Sequence, residues 1–180
     1  MNVMIRIGLF LILCLDLLAC ASHESYRDNE PRLPTHLEPV DPQKVQLERR
    51  LIAQRLQVIQ IGQHVLIDIP AALIFNQHSP KISSHAYGIL NDVACYIRSY
   101  RKVQINVHVH DFCIDKQERM PSLTRARSGA VANYLITQGI DSRLVITRGM
   151  SNDKPIMNNV CNQNVLANSR IEISFKDEIK

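Results

Sequence analysis

Five side chains that could ligate a metal or act as nucleophiles crowd one short stretch of the chain. His108, His110, Asp111, Cys113 and Asp115 lie within eight positions. On a β-strand His108 and His110 would point to the same side, and imidazole is a common metal ligand. The spacing matches no closed zinc pattern, however, and no serine lies in a G-x-S-x-G sequence. We therefore expect polar side chains on a sheet face here, with no metal, no cofactor and no enzymatic activity.

Another cysteine, Cys20, directly follows an apolar run from Ile7 to Leu18 that only Asp16 interrupts. Twelve helical residues span about 18 Å, which is too short for a bilayer core of about 30 Å. The stretch Leu17-Leu18-Ala19-Cys20 resembles the lipobox of bacterial lipoproteins, in which a peptidase cuts before the cysteine and its sulfur receives a diacylglycerol. The resemblance implies a signal peptide at residues 1–19 and a lipid on Cys20. An ordinary secretory cut after Ala21 is the alternative.

Residue 21 is alanine rather than aspartate, which by resemblance to enterobacterial sorting rules favours the outer membrane, with the domain facing the periplasm. The periplasm is oxidising, and Cys95, Cys113 and Cys161 remain for disulfide chemistry. Three thiols allow three single pairings and leave one over. Cys113 and Cys161 form a candidate disulfide, because Cys95 lies in an apolar helical run that is typical of a core cysteine.

The composition indicates a globular protein and argues against a nucleic-acid-binding one. The chain has 180 residues, enough for one domain plus appendages, and its 46% hydrophobic and 21% charged residues are ordinary globular usage. Aromatic residues are only 5% and tryptophan is absent, which argues against a stacking platform for single-stranded nucleic acid. The net charge of +4 comes with no basic block. We therefore expect no nucleic acid partner.

The elements that must position these residues follow a tether. Residues 20–41 hold three prolines and many charges, which is typical of a lipidated, extended tether. Asp41-Pro42 is a helix-start signal and predicts a leading helix at 42–56. The other predicted elements are a β-hairpin at 58–69, a helix that begins at Ser79-Pro80, a strand at 103–109, a helix at 123–138, a strand at 144–147, a short helix at 162–168 and a strand at 170–175.

This order predicts an α+β fold, a two-layer sandwich in which helices pack on one face of a mixed sheet preceded by the hairpin. The predicted strand at 103–109 alternates cleanly. Its apolar face comprises Val103, Ile105, Val107 and Val109, and its polar face comprises Gln104, Asn106, His108 and His110.

The predicted helix at 123–138 carries the most specific motif. The segment from Leu123 to Leu135, LTRARSGAVANYL, resembles the L-S-x-x-R-A-x-x-V-x-x-Y-L helix of OmpA-like domains. Gly149, Pro155-Ile156 and Asn159 stand at the spacing of that family's G-x-G-E-x-x-P-I-x-x-N stretch, and the segment from Asn168 to Ile173 resembles N-R-R-V-E-I. The resemblance implies an OmpA-like domain at 57–176.

The same resemblance implies binding of peptidoglycan stem peptides rather than catalysis. The family's pocket holds a diaminopimelate residue, whose carboxylate suits a bidentate guanidinium and whose ammonium suits a carboxylate. Arg127 and Arg170 fall on the family's two pocket arginines, and His110 matches as well.

The remaining pocket positions depart from the family pattern. Phe112 occupies the slot of the ammonium-binding aspartate, and Met120 replaces the pocket asparagine. Asp111 comes one residue early, so only a local bulge would bring it in. Two arginines in one pocket need an anion. The candidates are a stem-peptide carboxylate, Asp111 or Asp115 folding inward, and an acidic side chain of a partner, and we favour an internal or partner carboxylate.

The short build, the leading helix and hairpin and the altered pocket resemble the small OmpA-like lipoprotein of Dot/Icm (type IVB) secretion systems. This resemblance implies a structural component of an outer-membrane secretion complex. Its partners would be the outer membrane through the Cys20 lipid, other subunits of the core complex and, as an additional contact, peptidoglycan. The alternative is a free-standing lipoprotein like the peptidoglycan-associated lipoprotein, Pal, which links the outer membrane to peptidoglycan.

Overall fold

A five-stranded mixed sheet organises the chain. The computed structural model describes residues 41–76, 78–111, 120–151, 156 and 168–178. The strands run in the order β1-β2-β5-β3-β4, with β3 and β4 parallel and the other neighbours antiparallel. In chain order the elements are α1 (Pro42–Ala53), β1 (Gln57–Ile61), β2 (His64–Pro70), α2 (Ala71–Ile74), α3 (Ala86–Arg98), β3 (Lys102–His110), α4 (Met120–Thr137), β4 (Val145–Ser151) and β5 (Arg170–Asp177).

The core lies between the sheet and helices α1, α3 and α4. Alternate residues of the three central strands are fully buried and join one apolar cluster with Leu51, Leu90 and Leu135 from the helices. The buried strand residues are Val65, Ile67, Ile69, Ile105, Val107, Val109, Ile171, Ile173 and Phe175. Period-two burial is what a sheet with one covered face requires. The prediction of an α+β fold with a mixed sheet is confirmed.

The leading helix α1 packs against the rest of the fold. Its start is capped by Asp41, whose carboxylate accepts a hydrogen bond from the Gln43 backbone N–H at 2.9 Å. Leu51 is fully buried, and Gln54 Nε2 donates to Asp92 of α3 at 2.7 Å. The helix ends at Ala53 instead of residue 56, because Arg55 adopts a φ of 69° and the Leu56 N–H turns back to the Leu51 carbonyl at 3.1 Å.

The helix predicted to begin at Ser79-Pro80 begins later, at Ala86. Ile82, which the pattern assigned to the helix, forms an antiparallel bridge with Phe75 instead. Both the N–H and the hydroxyl of Ser83 donate to the Ile74 carbonyl, at 2.9 Å each. These tertiary hydrogen bonds compete with helix formation, so the prediction of the helix start was wrong.

Two residues of β3 also differ from the prediction. Val103, assigned to the apolar face, is 55% exposed, because the pairing of β3 with β5 shifts register between Lys102 and Ile105. His110, assigned to the polar face, is buried at 2% exposure. The pairing of β3 with β4 shifts register between Val109 and His110. One irregularity at each end of the strand therefore limits the predicted alternation to its middle.

Gly149 allows the backbone of β4 to pack closely against α4. A Cβ atom on Gly149 would lie 2.5 Å from the Arg125 backbone nitrogen and 2.6 Å from Thr124 Oγ1. The helix that carries Arg127 is thus held directly on the sheet by a glycine of the motif noted in the sequence. Gly139, which has a φ of 88°, terminates the same helix. Within the described residues no helix is both long and apolar enough to cross a bilayer.

Candidate functional site

Arg127 is the centre of the site and is almost fully buried, with only 5% of its side chain exposed. It lies within α4, and its guanidinium donates three hydrogen bonds to acceptors of the same chain. Nη1 donates to Asp111 Oδ2 at 2.6 Å, Nε to the Ser79 carbonyl at 3.0 Å and Nη2 to the Asn76 carbonyl at 3.1 Å. The Phe75 ring centroid lies 5.0 Å from the guanidinium carbon, within cation–π range.

Asp111 joins this arrangement from the end of β3. Its second carboxylate oxygen, Oδ1, accepts a hydrogen bond from the Ser169 hydroxyl at 2.9 Å. The register shift between Val109 and His110 lies just before it, so the irregularity precedes the residue that reaches Arg127. Burial lowers the pKa of the Arg127 guanidinium, and the neighbouring Asp111 opposes that change. Asp111 and Arg127 thus tie α4, the segment after α2, the end of β3 and the approach to β5 together.

Arg170 contacts a different carboxylate, that of Glu172 on the same strand. Arg170 Nε and Nη2 lie 2.7 and 2.6 Å from Glu172 Oε1, and His110 Nε2 lies 3.4 Å from Glu172 Oε2. Arg170 and His110 are direct cross-strand neighbours. The two predicted pocket arginines therefore each have a carboxylate from their own chain.

Glu172 lies in a charged cluster on the sheet face away from the core. Its pKa is lowered to about 2 by a hydrogen bond from His110 and, in addition, by Arg170, while burial acts in the opposite direction. Asp68 is its cross-strand neighbour on β2. Burial raises the pKa of Asp68, and Arg170 opposes that rise.

The low pKa of Glu172 predicts that the fold loses stability in acid. Its ordinary pKa of 4.5 falls to about 2 in the folded chain. A carboxyl with a depressed folded-state pKa stabilises the fold above its unfolded pKa, and this contribution is lost as the pH falls through the folded value. Thermal unfolding between pH 7 and pH 2 is expected to show a falling melting temperature below about pH 4.5, the unfolded-state value. The Glu172→Gln chain should have a lower melting temperature than the parent at neutral pH, and this temperature should fall less on acidification.

Two further variants check that result. Glu178→Gln changes an exposed carboxylate just past the same strand and should leave the profile of the parent chain unchanged. Asp68→Asn should make the melting temperature fall more steeply with acid. The pKa of Asp68 is raised in the folded chain, so protonation of Asp68 stabilises the fold, and the variant lacks this contribution. Parallel profiles for the parent and Glu172→Gln would contradict the assignment.

Four of the predicted pocket residues, His110, Asp111, Arg127 and Arg170, lie in the described part of the chain. Phe112, Cys113, Asp115, Cys161 and Cys20 lie outside it, as does the side chain of Met120. The candidate disulfide, the predicted signal peptide and tether, and most of the predicted short helix at 162–168 lie outside it as well.

Cys95 is half-buried with a free thiol, and Arg98 Nη2 lies 3.5 Å from its sulfur. Within the described ranges no three His, Cys, Asp or Glu side chains converge as metal ligands.

Sequence reasoning missed the groups that complete the two arginine sites. Glu172 had a usable signal, because residues two apart on a strand share a face. Ser169 lies within the recognised Asn168 to Ile173 motif but carries no separate signal. The carbonyls of Asn76 and Ser79 have no signal in the sequence, since every residue has a carbonyl.

The fold and the recognised segments define the class of protein. The model of the OmpA family matches residues 74–169, and the chain belongs to that family. The probable lipoprotein YiaD of Escherichia coli K12 is 25% identical over 136 residues, which cover 76% of this chain and 62% of YiaD. The chain therefore spans less than two thirds of the length of that curated relative.

Solved structures show the same fold. The periplasmic domain of Helicobacter pylori MotB (residues 90–256) superposes with a TM-score of 0.59 at 25% identity, over 69% of this chain and 80% of the MotB domain. The cell wall anchor of the type VI secretion system from Pseudomonas aeruginosa superposes with a TM-score of 0.66 over 76% of this chain and 99% of that one. At 23% identity the latter likeness shows the fold alone.

Proposed function

We propose that this chain is a lipid-anchored lipoprotein of the outer membrane whose OmpA-like domain is a structural component of a secretion complex of the Dot/Icm (type IVB) kind. The observation that carries the proposal is the occupation of Arg127 by its own chain. The guanidinium that the family resemblance assigns to a stem-peptide carboxylate already donates to Asp111, Ser79 and Asn76.

A stem-peptide carboxylate would have to displace Asp111 from Arg127. It would replace a formed charge-assisted hydrogen bond of 2.6 Å with another of similar strength, and gain little free energy from the exchange. It would also have to reach a side chain that is 5% exposed. In this arrangement Arg127 stabilises the domain and the surfaces it presents, which is the role expected of a subunit in an assembly.

The anchor and the secretion complex rest on other observations. The apolar run followed by Leu17-Leu18-Ala19-Cys20 supports a lipid on Cys20, and YiaD is described as a probable lipoprotein. The Pseudomonas aeruginosa anchor offers a precedent for this fold in a secretion machine. The choice of the Dot/Icm system follows from the sequence resemblance alone.

The second candidate is a Pal-like lipoprotein that holds the outer membrane to peptidoglycan. One observation favours it, namely the position of Asp111. Despite its one-residue displacement in the motif, its carboxylate lies beside Arg127 and stays 14% exposed. A carboxylate and a guanidinium side by side are the two groups that a diaminopimelate residue requires.

Two measurements on the full chain, in the bacterium that makes it, separate these functions. Blue-native electrophoresis of detergent extracts gives the size of the particle that contains the protein, and co-sedimentation with purified sacculi measures wall binding. The proposal expects a megadalton particle and little protein in the sacculus pellet. Asp111→Asn should leave that pellet unchanged.

The opposite pattern identifies the Pal-like function. The parent chain would then pellet with sacculi and Asp111→Asn would not, because the amide cannot pair with an ammonium. Arg143→Ala is the matched control for both measurements, since Arg143 pairs with Asp141 on the surface, away from Arg127. Monomeric protein in the detergent extract would contradict the secretion-complex proposal.

A further inference from the structure

The outer edge of β1 has no covering strand within the described part of the chain. β1 ends the sheet and, among the described strands, pairs only with β2. Its sequence, QVIQI, has no charge and no proline, and its register with β2 is regular. Ile59 and Ile61 are 42% and 74% exposed. Natural edge strands are usually blunted by charges, prolines or bulges, because open N–H and C=O groups template pairing with another strand.

The hairpin geometry shows which backbone groups face this edge. The turn between β1 and β2 is two residues long, and Gly62, its first residue, has a φ of 59°. In such a hairpin the residues that flank the turn, Ile61 and His64, exchange hydrogen bonds, and such pairs alternate with non-bonded pairs along the strands. The N–H and C=O groups of Val58 and Gln60 therefore point away from β2, toward the open edge.

We propose that β1 pairs antiparallel with β1 of a second copy of this chain, about a twofold axis at Ile59. In this register Ile59 faces its own counterpart, and Val58 faces Gln60 of the second copy. The outward groups of both strands then meet and form four hydrogen bonds. A twofold axis at either neighbouring residue would leave part of the five-residue strand without a partner.

The strand suits a copy of itself because it is self-complementary. It carries no charge, so the twofold axis brings no like charges together, a cost that charged edge strands would incur. Ile59 of each copy meets the other across the axis, and Ile61 lies diagonal to that pair on the same sheet face. The opposite edge of the sheet differs, since β4 presents an exposed Arg148.

Five paired residues on each side bury less than the 1,200–2,000 Å² that is typical of stable complexes. The pairing is therefore expected to be weak and is best detected by trapping it. In the proposed register, residue 59 of each copy occupies a non-hydrogen-bonded pair, whose Cα atoms lie about 4.5 Å apart, within disulfide range. Mild oxidation of cells that produce the full-length Ile59→Cys chain should yield a dimer on non-reducing gels.

Ile61→Cys is the matched control. Residue 61 is more exposed than residue 59, so random collision would favour it, yet its two copies would lie roughly 14 Å apart along the paired strands. We expect roughly tenfold more disulfide-linked dimer from Ile59→Cys than from Ile61→Cys or from the parent with its native cysteines, because a disulfide needs Cα atoms within about 7 Å. Combining Ile59→Cys with Gln60→Pro should abolish the dimer. Edge strands tolerate proline where the N–H faces outward, so the fold is retained.

Three results would overturn the proposal. Equal cross-linking of Ile59→Cys and Ile61→Cys would show collision without a register. A persistent dimer in the Gln60→Pro background would show that the β1 backbone is not the contact. A cross-link of Ile59→Cys to a protein of another size would show that a different partner occupies the edge.

Discussion

Replacing Arg127 with alanine is expected to lower the free energy of unfolding by about 3–5 kcal/mol, the usual cost of breaking a buried ion pair. The guanidinium is almost fully buried and joins α4 to Asp111 and to the carbonyls of Asn76 and Ser79. Its loss would leave Asp111 without a counter-charge and two carbonyls without their donor. Urea unfolding of the full chain, followed by circular dichroism, measures the change.

Two further variants test whether the geometry of the guanidinium matters. Arg127→Lys keeps the charge but cannot supply three donors in a planar fork, so most of the decrease in the free energy of unfolding should remain. Asp111→Ala combined with Arg127→Ala should cost less than the sum of the single changes, because the two residues interact directly. Arg143→Ala removes an exposed arginine from its ion pair with Asp141 and should leave the unfolding curve unchanged. Additive costs for Asp111 and Arg127 would show that the two side chains are not coupled.

Replacing Cys20 with serine is expected to abolish acylation completely. A hydroxyl does not form the thioether through which the proposed lipid is attached, so labelled palmitate should enter the parent chain and not the Cys20→Ser chain. Burial of acyl chains in a bilayer contributes about 0.8 kcal/mol per CH₂, so the proposed lipid would hold the mature chain on the membrane.

Cys95→Ser is the matched control for this experiment. Cys95 is the cysteine that the structure describes as half-buried in α3, and its replacement should leave palmitate incorporation unchanged. Equal labelling of the parent and Cys20→Ser chains would contradict a lipid on Cys20, and no label on either chain would favour the ordinary secretory cut after Ala21.

The agreement between sequence and structure is best where neighbouring residues alone determine the outcome. The hairpin was predicted at 58–69 and occurs as β1 and β2, because alternating apolar residues and a glycine at the turn act over a few positions. The end of α4 at Gly139 is equally local, since only glycine adopts a φ of 88° without strain. The start of α3 was missed because Ile82 bridges Phe75 and Ser83 donates to Ile74, seven and nine residues earlier, and residue periodicity does not show this pairing.

The sequence by itself determined the α+β class, the family and the position of Arg127 within a helix, because these depend on residue periodicity and on motifs read along the chain. Only the tertiary structure decided which anion meets each arginine. Asp111 is 16 residues from Arg127, and the carbonyls of Ser79 and Asn76 are 48 and 51 residues away. Their convergence depends on a strand irregularity and on how α4 packs against β4. A shift of one residue changes which side chain reaches a site, and residue spacing along the chain does not specify where such a shift occurs.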